Sequence, residues 1–178
     1  MDLKETQEIL EQFGKYVVKQ ARTNLSKQGK NTSKNLYNSI KYTPKKTNTG
    51  GIKIIFEMLD YGEFQDKGVR GAKSYYADQA TAESPYKFGS GSFAGQGDKF
   101  RKSIDRWVVK KNVFNKSIRD KKGRFVSRQS LVHLITRSIY NKGIRASMFF
   151  TKPFEKAFKN LPPELTEAFA IDIENSIE

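Results

Sequence analysis

The apolar residues of the first 29 positions recur at steps of three and four, which is the spacing of one face of an α-helix. The stripe consists of Leu3, Thr6, Ile9, Leu10, Phe13, Tyr16, Val17, Ala21 and Leu25. Glutamates dominate the first half of this segment and lysines the second half, an order that the helix dipole favours. We therefore predict an amphipathic N-terminal helix that ends near Gly29 and packs its stripe against a core.

A β-hairpin is predicted directly after this helix. Residues 36–42 fit a strand or a short turn leading into one, and residues 52–59 (IKIIFEML) form the best strand pattern in the chain. Between them, residues 45–51 (KKTNTGG) are rich in turn-forming residues.

The middle of the chain combines loop-forming and basic sequence. Residues 60–71 look irregular, and residues 72–98 consist mostly of Ser, Gly, Ala, Tyr and Gln, which predicts a long flexible loop. Residues 99–111 predict a basic helix, and residues 112–128 a basic loop or small hairpin with residues 121–124 (KKGR) at its tip. The apolar face of the basic helix consists of Phe100, Ile104, Trp107 and Val108, and the spacing predicts Trp107 as a core residue.

Three further helical segments are predicted toward the C-terminus. Ser127 fits the N-cap of a helix that ends near Gly143, and residues 144–150 fit a short extended segment. Pro153 starts another helical region, and Pro163 is predicted to open the final helix as its first residue. The predicted buried stripe of that final helix consists of Leu165, Phe169, Ile173 and Ile177.

The order of elements predicts an α+β domain. We expect one small antiparallel sheet packed by the N-terminal and C-terminal amphipathic helices. The length of 178 residues fits a single domain spanning residues 1–178, with a flexible, basic insertion at about residues 72–127.

The amino-acid composition excludes several kinds of functional site. The chain has no cysteine and one histidine, His133, so disulfides, thiol nucleophiles and His-rich metal sites are excluded. Its start lacks the basic and then apolar order of a signal peptide, and no apolar run reaches the roughly 20 residues of a membrane span. We expect a soluble protein made in a cytoplasm.

Charge is distributed unevenly. The formal net charge is +14, and residues 99–128 hold 12 Lys or Arg against 2 Asp, whereas residues 152–178 hold 3 Lys against 6 acidic residues. The basic residues are Lys99, Arg101, Lys102, Arg106, Lys110, Lys111, Lys116, Arg119, Lys121, Lys122, Arg124 and Arg128. Aromatic residues are interleaved with them, as in surfaces that bind nucleic acid. The same cations fit an acidic surface of a neighbouring protein, and both interpretations stay open.

Candidate catalytic groups are sparse. Asp60, Glu63 and Asp66 lie within seven residues, but their spacing matches no metal-ligand motif, and a solvated turn explains them better. His133 has no partner that a motif marks, and the glycine-rich stretch lacks the Gly-Lys-Ser/Thr of a phosphate loop. We therefore predict no enzyme activity, no metal and no cofactor.

Three widely separated segments carry short motifs. Residues 27–42 (KQGKNTSKNLYNSIKY) contain a small polar, Leu, x, x, Ser-Ile signature, and residues 142–158 (KGIRASMFFTKPFEKAF) a Lys-Gly-Ile to Pro-Phe pattern. Residues 61–68 (YGEFQDKG) approximate a Tyr, x, x, Phe/Val, x, x, Gly segment, with one additional residue before Gly68. Together these segments resemble the neck and tail-completion family of tailed bacteriophages, also known as head–tail connector or tail components. The resemblance covers roughly residues 3–68 and 128–178, whereas smaller members of the family lack so long a basic insertion.

This resemblance implies a structural virion protein without catalysis or cofactor. Family members form a homo-oligomeric ring between head and tail, with portal, adaptor or tail-tube proteins as neighbours. The basic insertion would then contact passing genomic DNA non-specifically or grip an acidic neighbour. The alternative is a basic nucleic-acid-binding protein that acts outside the virion.

Overall fold

The computed structural model describes residues 3–30, 32–48, 51–73, 83–89, 97–113 and 119–177. The chain forms two compact units, one made of Met1–Gly62 and Met148–Glu178 and the other of Glu63–Ser147. The described residues contain seven helices and two two-stranded antiparallel sheets. This confirms the predicted α+β class, with a small sheet packed by N-terminal and C-terminal helices. The predicted insertion lies in the second unit, and its residues 74–82, 90–96 and 114–118 fall outside the described residues.

The first unit is organised around helix α1 (Lys4–Lys27), which confirms the predicted N-terminal helix. Its end is a Schellman motif: Gly29 has a φ of +64°, its N–H donates to Ser26, and the N–H of Lys30 donates to Leu25. The buried residues of α1 are Phe13, Gly14, Val17, Val18, Ala21 and Leu25. Most of the predicted stripe therefore faces the core.

The predicted hairpin follows a short helix, α2 (Asn35–Ser39). Strands β1 (Lys41–Lys46) and β2 (Ile52–Glu57) pair antiparallel, from Lys41 opposite Glu57 to Lys46 opposite Ile52. Helix α1 packs closely against β1 at Gly14. A Cβ atom at this position would lie only 2.5 Å from the Tyr42 ring. The small residue at this helix position sets the distance between helix and sheet.

The C-terminal part closes the core of the first unit. Helices α6 (Thr151–Phe158) and α7 (Leu161–Ile177) both contact α1. Phe149, which precedes α6, is fully buried among Leu25, Leu36 and Ile40. A ring cluster continues this core, with edge-to-face pairs that join Phe13 to Phe56, Phe13 to Phe154 and Phe56 to Phe150 at centroid distances of 6.0, 5.5 and 5.3 Å.

The predicted buried stripe of the final helix is wrong in part. Leu161, Ala168 and Asp172 are the buried residues of α7, whereas Phe169 and Ile173 are 45% and 37% exposed. Helix α7 also begins at Leu161, two residues before the predicted start, since its first turn tolerates both prolines. The core-facing side of the helix is thus rotated by about one residue, about 100°, from the apolar stripe.

The rotation places a carboxylate at the start of α1. Asp172 accepts hydrogen bonds from the backbone N–H groups of Glu5 and Thr6, each 3.0 Å long, and from the Thr6 hydroxyl at 2.7 Å. Burial raises the pKa of the Asp172 carboxyl, but these hydrogen bonds outweigh burial and hold its pKa below the ordinary value. Asp172 therefore caps α1, whose own N-cap residue, Leu3, makes no capping side-chain bond.

The boundary between the first and second units lies within helix α3 (Tyr61–Lys67). Strand β3 (Val69–Arg70) follows this helix. The prediction of irregular structure over residues 60–71 is therefore wrong, because tertiary pairing stabilises this short segment. Strand β3 pairs antiparallel with β4 (Gly143–Ile144), so only the start of the predicted extended segment 144–150 forms a strand.

Glycines permit the close approach of the backbones around the paired strands β3 and β4. A Cβ at Gly68 would lie 2.6 Å from the carbonyl oxygen of Ile144, and one at Gly71 or Gly143 would collide with backbone atoms of the opposite strand or of Asn141. Gly68 and Gly143 also have φ angles of +74° and +91°, which residues with a Cβ rarely adopt. Only glycine fits these positions without shifting the backbone.

Helices α4 (Gly97–Lys110) and α5 (Arg128–Lys142) complete the second unit and contact each other. Ser127 caps α5, its hydroxyl accepting from the N–H of Ser130, and Gly143 follows its last residue, both as predicted. Among the described helices, none combines the length and the apolar character that a membrane span requires.

Removing the Phe149 ring tests the core of the first unit. We expect Phe149→Ala to lower the free energy of unfolding by about 3–5 kcal/mol, because the site leaves a cavity that its neighbours fill only partly. Leu59→Ala is the control, since Leu59 is 40% exposed and its truncation should change stability by less than about 0.5 kcal/mol. Urea titration followed by circular dichroism measures both, and equal losses of stability would contradict the assignment of Phe149 to the core.

The Asp172 cap predicts a pH-dependent contribution to stability. Because the pKa of Asp172 is lower in the folded chain, its ionised form stabilises the fold above the ordinary aspartate pKa of about 3.9. This contribution is lost as pH falls through the folded pKa. We expect Asp172→Ala to lower the melting temperature at pH 7 and the difference from wild type to narrow below about pH 4. Glu174→Ala, an exposed change on the same helix, should show neither effect.

Candidate basic interaction surface

The outer face of α4 carries a continuous row of cations. Val108 is fully buried and Phe100 and Ile104 are half-buried, so these three residues define the inner face. We call the exposed row opposite them the cationic stripe; it consists of Lys99, Lys102, Arg106 and Lys110. Steps of three, four and four residues keep the row on one side of the helix over about 17 Å.

Trp107 borders the cationic stripe and is not a core residue. Its side chain is 42% exposed, so the prediction from its spacing with Ile104 and Val108 is wrong. The inner face is centred on Val108 and Ile104, and Trp107 is about 100° from Val108 around the axis. Val109, 56% exposed, lies on the other border. The stripe is thus flanked by apolar side chains that a partner could cover.

Four of the predicted arginines have partners within the chain. Arg106 donates a hydrogen bond of 3.4 Å to the Lys102 carbonyl of its own helix, and the other three make shorter contacts. Arg128 pairs with Asp105 at 3.0 Å, which joins the start of α5 to α4. Arg124 pairs with Asp120 at 2.9 Å. The guanidinium of Arg119 stacks over the Phe125 ring at 4.0 Å and donates to the carbonyl of Gly123. These side chains stabilise the local structure and are less available to a partner.

A small turn over residues 119–125 confirms the hairpin alternative for this segment. Arg119 and Phe125 form an antiparallel bridge, and Gly123 at the tip has a φ of +75°. The N–H of Arg124, that of Lys122 and the Arg124 side chain donate to Asp120 and lower the pKa of its carboxyl. The turn presents Lys121 and Lys122 as exposed cations.

The remaining predicted contact residues can be sorted by their surroundings. Lys116 lies outside the described residues, and Lys111 is exposed just after α4. Several exposed cations form no ion pair with a carboxylate of the described residues: Lys99, Arg101, Lys102, Lys110, Lys121 and Lys122. A cavity of about 150 Å³ beside the stripe is lined by Arg101, Lys102 and Arg128, with Asp105. This surface can attract phosphates or carboxylates.

The residues weighed as catalytic candidates do not form a site. Asp60 and Glu63 are exposed, Glu63 accepts a hydrogen bond from the Tyr86 hydroxyl, and Asp66 is buried. No cluster of three or more His, Cys, Asp or Glu in the described ranges is arranged to hold a metal ion. His133 is exposed on α5.

The structure reveals a second basic surface that sequence reasoning missed. A groove of about 580 Å³ in the first unit, here called the α1 groove, runs along one side of α1. Its cations are Lys15, Lys19, Arg22 and Lys27, and Val18, Tyr37 and Tyr42 form its apolar part. These lysines stand out in the sequence only as a favourable order for the helix dipole, and Tyr37 and Tyr42 join them only when α2 and β1 pack beside α1.

Comparison with known proteins found no matching family model and no similar curated protein or solved structure.

The cationic stripe predicts weak, salt-dependent binding of duplex DNA. We expect the triple change Lys99→Gln, Lys102→Gln and Lys110→Gln to weaken this binding. The slope of log affinity against log salt should fall by about 0.9 for each phosphate that the variant no longer neutralises. Fluorescence anisotropy at several salt concentrations measures both quantities.

Arg119→Gln, Arg124→Gln and Arg128→Gln give a matched control. This triple variant removes the same formal charge from side chains that already have partners within the chain. We expect it to weaken DNA binding less than the stripe variant does. Equal weakening would show that net charge, rather than the stripe, determines the binding.

Proposed function

We propose that this chain is a structural, non-enzymatic subunit of a ring in the neck of a tailed bacteriophage, joining the head to the tail. The proposal is supported by one observation above all: the widely separated segments that carry the family resemblance pack into shared structures. Each segment alone is weak support for the family, but the segments contact one another in the folded chain, which explains why their apolar residues and glycines occur together.

The first and last of these segments meet in the core of the first unit. Leu36 and Ile40, from residues 27–42, pack with Phe149, from residues 142–158. More than 100 positions separate them in the sequence. Asn24 adds a hydrogen bond from its side-chain amide to the carbonyl of Phe149, at 3.3 Å. The apolar positions of both motifs are therefore explained by one buried cluster.

The glycines of the motifs meet in the second unit. Gly68 ends the segment 61–68, and Gly143 lies in the Lys-Gly-Ile part of the last segment. Both adjoin the crossing of β3 and β4, where a Cβ would strike the opposite backbone. A spacing of residue types that looks arbitrary in the sequence thus follows from close backbone packing.

Charge suits a subunit that must contact unlike neighbours. Helix α7 exposes Glu164, Glu167 and Glu174 and contains no Lys or Arg, whereas the cationic stripe and the α1 groove are basic. A head-to-tail ring joins two different faces of each copy, and opposite charges fix their pairing. We propose portal, adaptor or tail-tube proteins as the other neighbours, with the virion neck as the location after synthesis in the host cytoplasm.

A second candidate function is favoured by the cationic stripe. Four cations in a row beside the exposed indole of Trp107 are the combination with which proteins bind phosphates and stack on bases. In this alternative the chain binds nucleic acid outside the virion. It requires tight binding by a monomer or dimer with a steep salt dependence, whereas a neck subunit needs only weak, non-specific contact with passing DNA.

Electron cryomicroscopy of the portal vertex in purified particles tests the proposed function. The expected result is a closed ring of copies between portal and tail, and density around residues 99–126 would identify whether DNA or protein faces them. Absence of the chain from particles would overturn the proposal and favour the nucleic-acid-binding alternative. Deleting residues 99–126 separates the roles of that segment: abolished DNA affinity with fully infectious particles would show that it has no function in the neck.

A further inference from the structure

We infer that the α1 groove receives the acidic helix α7 of the next copy, and that this contact joins subunits of the ring. The inference rests on the proposed function, because it names an interface between copies of this chain. It assigns an occupant to a groove in which Lys19 and Lys27 form no ion pair with the described residues of the same copy.

The groove offers cations at its rim and an apolar floor. Lys15 is paired with Glu11 at 3.8 Å, but neither Lys19 nor Lys27 forms an ion pair with a carboxylate of the described residues. Arg22 is held in place, donating from its guanidinium to the carbonyl oxygens of Tyr37 and Ile40 at 3.1 and 2.8 Å. The groove is therefore prepared to receive an acidic surface with some apolar area.

Helix α7 presents such a surface. We call the side turned away from α1 its outer face; the face consists of Glu167, Ala170, Ile173 and Glu174, all exposed. Glu167 and Glu174 lie seven residues apart, nearly two turns, on the same side of the helix. Ile173 lies beside them as an apolar residue that no core contact in its own copy covers fully. Helix α7 contains no Lys or Arg, so no cation of the same helix neutralises these glutamates.

The spacing of charges along the two helices is similar. Lys19 and Lys27 are about 12 Å apart along α1 and about 80° apart around it, and Glu167 and Glu174 are about 10 Å apart along α7. Side chains of this length bridge the remaining difference. The apolar floor formed by Val18, Tyr37 and Tyr42 can then cover Ile173.

The position of the two surfaces within one copy favours a contact between copies. Helix α7 packs on the side of α1 that carries Thr6 and Phe13, through Asp172 and Leu161. Lys15, Lys19 and Arg22 lie on nearly the opposite side of α1 at about 100° per residue. A helix cannot dock into a groove that lies behind the helix it already packs against. One face of a copy therefore meets a different face of the next, as a ring requires.

Charge reversal with mixing tests the inference. One variant reverses α7 (Glu167→Lys, Glu174→Lys) and the other reverses the groove (Lys19→Glu, Lys27→Glu). Alone, each variant opposes like charges, and we expect the dissociation constant for self-association in sedimentation to rise at least about tenfold. Mixed in equal amounts, the two variants have complementary surfaces at both contacts, and association should return. Misfolding cannot explain recovery on mixing.

The control is Lys45→Glu with Lys53→Glu, which reverses two exposed lysines that face each other across β1 and β2 outside the groove. It matches the change in net charge of the groove variant and should associate like wild type. If wild type associates but the mixture stays dissociated, the α7–groove contact is wrong while the proposed ring stands. Adding DNA to the groove variant identifies the alternative occupant: abolished DNA binding with unchanged association would overturn the inference in favour of nucleic acid.

If the wild-type chain is monomeric in solution, the contact between α7 and the α1 groove is tested in assembled particles. The chain has no cysteine, so Ile173→Cys with Lys19→Cys introduces one defined pair. Oxidation of particles should give a ladder of linked copies on a non-reducing gel. Incorporated chains without a ladder would overturn the inference alone, whereas absence of the chain from particles would overturn the proposed function as well.

Discussion

The packing of aromatic rings between α1, β2 and α6 holds the first unit together. Phe13, Phe56 and Phe154 come from these three elements, and Phe150 joins them from the segment before α6. A two-stranded hairpin alone is marginally stable in water, so β1 and β2 depend on the rings and the helix behind them. Because Phe149 and Phe150 are adjacent, the same segment fills both core clusters. The chain must return from the second unit before this core can close.

The surface charges have a different relation to the fold. The ion pairs among the described residues lie at exposed or half-exposed positions, where each contributes little to stability. Asp172 is the exception among the acidic residues of α7, since it is buried and caps α1. The other carboxylates of that helix, the cationic stripe and the α1 groove stay directed to solvent or to partners. Stability thus comes from apolar burial, while charge is left for recognition.

Much of the architecture follows from local pattern. Helical spacing predicted α1, α4 and α5, the Ser127 cap and the Gly143 end, and the turn-rich residues 45–51 predicted the hairpin. The basic residues of the candidate surface were also identified from the sequence, because charge is a property of composition. What the sequence did not reveal is which of them are already engaged: Arg128 pairs with Asp105, which lies 23 positions earlier in the chain.

The sequence by itself determined the helices, the hairpin and the uneven distribution of charge, since each depends on residues close together in the chain. Tertiary structure decided the rest. Segment 60–71 forms α3 and β3 because Val69 pairs with Ile144 of β4. Helix α7 buries Asp172 instead of Phe169 because the first N–H groups of α1 donate hydrogen bonds to the Asp172 carboxylate. The α1 groove exists only where Tyr37 and Tyr42 pack beside Lys19. Periodicity records that a helix has an apolar side, whereas the side that is buried depends on donors and surfaces contributed from distant parts of the chain.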